Sequence, residues 1–209
     1  NNNIDSFPDE ISTFKNLMYL KTSGNPIKKL PETIGSTPTL KSLILHHVNL
    51  DSLPSGFNNL SSLTELEIQI NSADTFKIGN ALSGIYNLKS VVLYKCQLDT
   101  FPLGLDKNTK LRKILAVDCN LSHLTPSIGD NESLQTLVLD KNKFSEFPEE
   151  LTKNKSIREL SLRENQIMHL PENVARMRSL EILDLTGNNI PAREIDVIKA
   201  LLPGCKIIH

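Results

Sequence analysis

The stretch Ile157–Pro171, IRELSLRENQIMHLP, sets apolar residues at Ile157, Leu160, Leu162, Ile167 and Leu170, with Asn165 among them and Pro171 at the end. Moving back 23 residues finds Leu134, Leu137, Leu139, Asn142, Phe144, Phe147 and Pro148. A further 23 finds Leu111, Ile114, Ala116, Cys119, Leu121 and Leu124; another finds Leu88, Val91, Leu93, Cys96, Leu98, Phe101 and Pro102. The series runs on to Leu63, Leu40 and Leu17, and forward to Leu180. The step is 23 residues everywhere except between Leu63 and Leu88, where it is 25. A fixed period of this length marks a repeat architecture and governs every later reading.

Each unit has a physical logic. Leu-x-Leu is period-2 alternation, so a unit opens with a short strand whose leucines point inward and whose intervening residues point out. The ninth position holds Asn25, Asn71, Asn142, Asn165 and Asn188, or Cys96 and Cys119. The chain turns inward there, and its buried backbone groups need partners. An amide donates and accepts; a thiol does so weakly and tolerates burial. Val48 does neither, so its turn is expected to be less well tied. Pro31, Pro54, Pro102, Pro148 and Pro171 then suit the first position of a short helical turn. Glu32, Glu149 and Glu172 follow, which favours a helix N-terminus. No unit buries its own leucines, so the units must stack into one array.

The pattern, LxxLxLxxNxLxxLPxxI in eight phased copies over nearly all of the chain, resembles the leucine-rich repeat family. Its 23-residue form with a Leu-Pro step is similar to members found in intracellular signalling scaffolds and in bacteria. The ending Leu202–Ile208 is similar to the last repeat of bacterial members. The resemblance implies an α/β, right-handed horseshoe solenoid, with a parallel sheet on its concave side and short helical turns on its convex side. The expected organisation is one domain over 1–209. It comprises a partial repeat over 1–16, eight repeat starts over 17–190 and a capping helix and strand over 191–209. The partial repeat suggests a fragment, or a mature form without its upstream residues.

Composition narrows the function. A formal net charge of -1 gives no basic face for nucleic acid or an anionic membrane surface. No run of about 18 apolar residues is present, so no membrane insertion is expected. Three cysteines imply no disulfide framework. Cys96 and Cys119, in adjacent units, read as two buried thiols, and Cys205 as core of the cap. Four Asn-x-Ser sites (Asn59, Asn120, Asn131, Asn154) carry no weight in so Asn- and Ser-rich a chain. No nucleotide loop, paired CxxC or GxSxG is found, so the chain is not read as an enzyme and no cofactor is expected.

His46 and His47 are adjacent, just past the inward Leu45. As metal ligands they would need a third strong donor, and neighbouring units offer Gln69, Ile70, Ser23 and Gly24. As catalytic bases they would need a nucleophile. They are expected to face solvent on the concave face or its rim. His123 and His169 stand two units apart and read as surface residues. The concave face also collects apolar residues where the scaffold needs none: Ile44, Val92, Leu115, Val138 and Val117, with Tyr94. With His46, His47, Gln69 and Lys95 they form the candidate partner-binding surface. The 25-residue unit, in which Ala73 and Lys77–Asn80 break the pattern, is expected to bulge on the convex side. The expected function is recognition of a macromolecule, a protein in the first place, on the concave face. The rival readings are the recognition part of a larger signalling enzyme, and a bacterial cell-surface protein binding glycan or host protein. These correspond to cytoplasmic and to surface or secreted locations.

Overall fold

The computed structural model describes residues 2–71, 76–98, 101 and 104–209. Its strands are β1 (Tyr19–Ser23), β2 (Ser42–Val48), β3 (Glu65–Ile70), β4 (Ser90–Tyr94), β5 (Lys113–Val117), β6 (Thr136–Val138), β7 (Glu159–Ser161), β8 (Ile182–Asp184) and β9 (Lys206–Ile208). They form one sheet in chain order, every pair parallel. Tyr19 sits opposite Ser42 and Lys113 opposite Thr136, while Glu65 sits opposite Ser90. The sequence period is thus the sheet register, and the 25-residue step reproduces it with two residues to spare. Leu43, Leu45, Leu66, Ile68, Ile114, Leu137 and Leu160 point inward and are wholly buried, in one core that runs the length of the stack.

The return side is built of 3-10 turns at Asp9–Thr13, Glu32–Ser36, Ser55–Asn59, Leu105–Lys107, Pro126–Asp130, Glu149–Lys153 and Glu172–Arg176. The single α-helix among the described residues is α1 (Ala192–Leu201). The prolines sit one residue earlier than expected. Pro31, Pro54, Pro148 and Pro171 precede their turns with extended backbone, and each carbonyl accepts the N–H three residues on. Pro126 alone of the described residues takes the first helical position; Pro102 lies outside them. Successive turns lie so close that a side chain at Gly35 would strike the Gly56 backbone. The Glu32 carboxylate accepts the Gly56 N–H and the Ser55 hydroxyl, both at 2.9 Å. These bonds hold its carboxyl below the usual range.

Two asparagine ladders tie the loops. In the expected one, Asn142 is buried; its carbonyl accepts from Cys119 and Leu121 N–H, and its amide donates to Ala116 and Leu139 carbonyls at 2.7 and 2.8 Å. Asn165 repeats this from Phe144 to Leu139 and Leu162, and Asn188 from Ile167 to Leu162 and Leu185. Asn25 is buried and donates to Thr22 and Ser23. The thiols of Cys96 and Cys119 are free and point at the carbonyls of Tyr94 and Val117. The neighbouring Cys119 thiol and burial push the Cys96 thiol far above its usual range. Asn71 departs from the pattern. It is exposed, and its amide reaches back to the His47 carbonyl at 2.9 Å, tying from outside the turn that Val48 leaves unassisted. The second ladder was not foreseen. Asn108, Asn131 and Asn154 are buried where the turns lead back to the strands, with Asn154 donating to the Asn131 carbonyl and Asn131 to that of Asn108.

The expected convex bulge is not found at Lys77 and Ile78. Lys77 pairs with Ser52 as a parallel bridge, and Phe76 and Ile78 are buried, so this segment stays in the stack; Gly79 and Asn80 form an exposed turn. The Asn71 N–H still bonds to the Val48 carbonyl, 23 residues back, so the two extra residues fall between Asn71 and Lys77. Ala73 lies outside the described residues. Beyond α1, Ile207 sits opposite Leu183 with its side chain against the core, and Cys205 also packs there. Burial pushes the Cys205 thiol up to about 11.

Candidate functional site

The sheet face carries three rows of outward side chains, fixed by strand alternation. In the central row Val92 lies opposite Leu115, and Leu115 opposite Val138. In the next row Gln69 lies opposite Tyr94, and Tyr94 opposite Val117. Five of the predicted residues therefore form one apolar block across β4, β5 and β6. Ile44 does not join it, because Glu67 stands between Ile44 and Val92. Exposure also differs from the expectation. Leu115, Val117, Val138 and Tyr94 are half-buried, and Val92 is 8% exposed although it lies outside the core cluster. Side chains crowd one another on the inside of the curve.

Carboxylates border the block. Glu67 lies on one side and Asp140 on the other, with Asp184 one strand further on beyond Ser161. Asp140 accepts the Ser161 hydroxyl at 2.5 Å and the Arg163 N–H at 3.0 Å. Burial nonetheless holds its carboxyl above the usual aspartate value, against the pull of these bonds and the Arg163 charge. Burial also raises the Tyr94 phenol, and the charges of Glu67 and Asp140 add to it. Tyr94 thus presents a neutral hydroxyl at the edge of the apolar block.

The two histidines part company. His46 lies on the sheet face, its Nε2 2.9 Å from Glu67 Oε1. The contact does not have the geometry of a hydrogen bond. His47 is turned away by a left-handed backbone, φ 54°. With Asn25 and Asn71 it lines a separate open cavity of about 800 Å³ beyond the strand ends. The eighth position is left-handed at Gly24, His47, Lys95, Asp118, Lys141, Glu164 and Gly187, though not at Ile70, which stays in β3. Lys95 is thereby also exposed off the end of its strand. The signal for this was present in Gly24 and Gly187, since glycine is the residue that adopts positive φ at no cost. His123 and His169 each have their own neighbour, the Ser122 hydroxyl at 3.1 Å and the Glu194 carboxylate at 3.6 Å. No helix among the described residues is long and apolar enough to cross a membrane.

Comparison with known proteins gives the same architecture. A family model described as Leucine rich repeat matches residues 132–190. No curated protein matches the chain. Among solved structures, a plant peptide hormone receptor, RGFR1 in complex with RGF2, superposes with a TM-score of 0.78 at 24% identity, over 97% of this chain and 33% of that one. An internalin (inlF) from Listeria monocytogenes gives 0.77 at 21% identity, over 95% and 55%. The Toll–Spatzle complex of Drosophila gives 0.75 at 18% identity, over 90% and 29%. The chain spans about a third to just over half of the length of these structures. At such identities the likeness is one of fold. The leucine-rich repeat motif over 132–190 lies within a continuous stack of nine parallel strands, and the chain has the fold of a leucine-rich repeat solenoid.

Proposed function

We propose that the chain is a recognition module that binds a protein partner on its concave sheet face. The observation that carries this reading is the block of Val92, Leu115, Val138, Tyr94 and Val117 on three adjacent strands, at positions the core does not need. Apolar side chains gathered in one block of the face suit a partner's apolar residues, and a half-buried tyrosine suits an anchoring role. His46, His47, Gln69, Lys95 and Ile44 are rim contacts in this reading. Two structures of the same fold, the plant receptor and Toll, were solved with peptide or protein partners, which agrees with it.

The test is affinity for a purified partner. Tyr94→Ala with Leu115→Ser should weaken binding by about 2 kcal/mol or more, roughly thirtyfold, while the melting temperature changes little. Val92 is left intact because it is nearly buried, and its loss would mix stability with binding. Undiminished affinity in a folded double variant would overturn the assignment.

A further inference from the structure

Away from the sheet face, some charges one unit apart attract. Arg158 meets Glu181 at 2.9 Å and Lys141 meets Glu164 at 3.6 Å, each pair 23 residues apart. Like signs also recur at this spacing, as at Lys89 and Arg112 or Glu149 and Glu172, and one such group lines a cavity. Lys153 and Arg176 are 23 residues apart, as are Lys155 and Arg178. Lys153 and Arg176 end the packed turns Glu149–Lys153 and Glu172–Arg176. All four cations line one open cavity of about 850 Å³, together with Thr152 and Ser179. Among the described residues, none of the four takes part in an ion pair. The same two columns carry Asp130 and Glu132 one unit earlier, which bound the cluster on that side without pairing with it.

Stacking like charges on neighbouring positions destabilises a fold. A chain of net charge -1 has no general excess of cations to place there. An anion between the columns would relieve the repulsion. Two guanidinium forks and two ammonium groups suit a tetrahedral oxyanion, which arginine grips with paired hydrogen bonds and lysine as a point charge.

We propose that this cavity is a binding site for a tetrahedral oxyanion, a phosphate or sulfate ester group, gripped by Arg176 and Arg178 and neutralised by Lys153 and Lys155. The site is independent of the sheet face.

The test is an NMR titration of the arginine Nε–H signals with inorganic phosphate at constant ionic strength. Saturable shifts are expected at Arg176 and Arg178, with none at Arg112 or Arg193. Arg176→Gln with Arg178→Gln, followed by the backbone amide signals of residues 152–155 and 175–179, should lower the affinity at least tenfold and leave the melting temperature equal or higher, because the like-charge stack is gone. Phenyl phosphate and phenyl sulfate, titrated separately, show which ester the site prefers. Equal, unsaturating shifts at every arginine would overturn the proposal. So would unchanged affinity in the double variant, or a fall in its melting temperature.

Discussion

At the scale of the residue, asparagine does the structural work that leucine cannot. A buried amide in Asn142 satisfies backbone groups of two units at once, through five hydrogen bonds. Asn142→Ala should cost about 1–3 kcal/mol, because the Cys119 and Leu121 N–H groups lose their acceptor in a dry interior. Melting indistinguishable from the parent would contradict this. The ladder was legible because Asn recurs beside a strong leucine pattern. The ladder of Asn108, Asn131 and Asn154 is equally periodic, but it stands in the turn segment, away from the Leu-x-Leu strand pattern that marks the first ladder. Asp140 supplies a pH test. Its carboxyl is raised in the folded chain, so the folded state holds that proton more tightly than the unfolded state does. Ionised Asp140 therefore opposes folding, and stability from this group is regained as pH falls toward the ordinary aspartate value of about 4. Relative to Asp140→Asn, the wild type should gain stability over that fall; parallel melting curves across the same range would contradict it.

At the scale of the element, the strand and its exit turn explain which side chains share a surface. Strand alternation was legible from Leu-x-Leu and places Tyr94 and Leu115 correctly. The left-handed eighth position was not, because only Gly24 and Gly187 advertise it while five other residues adopt it. That single backbone state separates His47 from His46. An L-residue with a Cβ adopts positive φ at roughly 1–2 kcal/mol, and a β-branched one does so less readily still. Thermal stability should therefore fall in the order His47→Gly, wild type, His47→Val. Equal melting of all three would show that the turn does not hold this conformation. The irregular unit teaches the complementary point. The sequence located the two extra residues within the 25-residue step, but only the pairing of Lys77 with Ser52 shows that the stack is in register at Lys77, between the buried Phe76 and Ile78.

At the scale of the whole molecule, periodicity carries most of the information. One period fixes the parallel strands, their register and the core, and so the sheet was readable from the sequence. The surface was readable only in part. Sequence assigns outward positions, but crowding on the inside of the curve decides how much of Val92 remains accessible, and Glu67 decides that Ile44 stands apart. Charge was the least readable layer, since its meaning lies in which columns stack: opposite signs at Arg158 and Glu181, like signs at Lys153 and Arg176. Site-specific photo-crosslinking separates the faces of the molecule. A benzophenone side chain is introduced in place of Leu115 on the sheet face or Val197 on α1, and the chain is irradiated with its protein partner bound. Binding through the sheet face requires a crosslink from position 115 and none from position 197. A crosslink from position 197 alone would place the partner on the opposite side and contradict it.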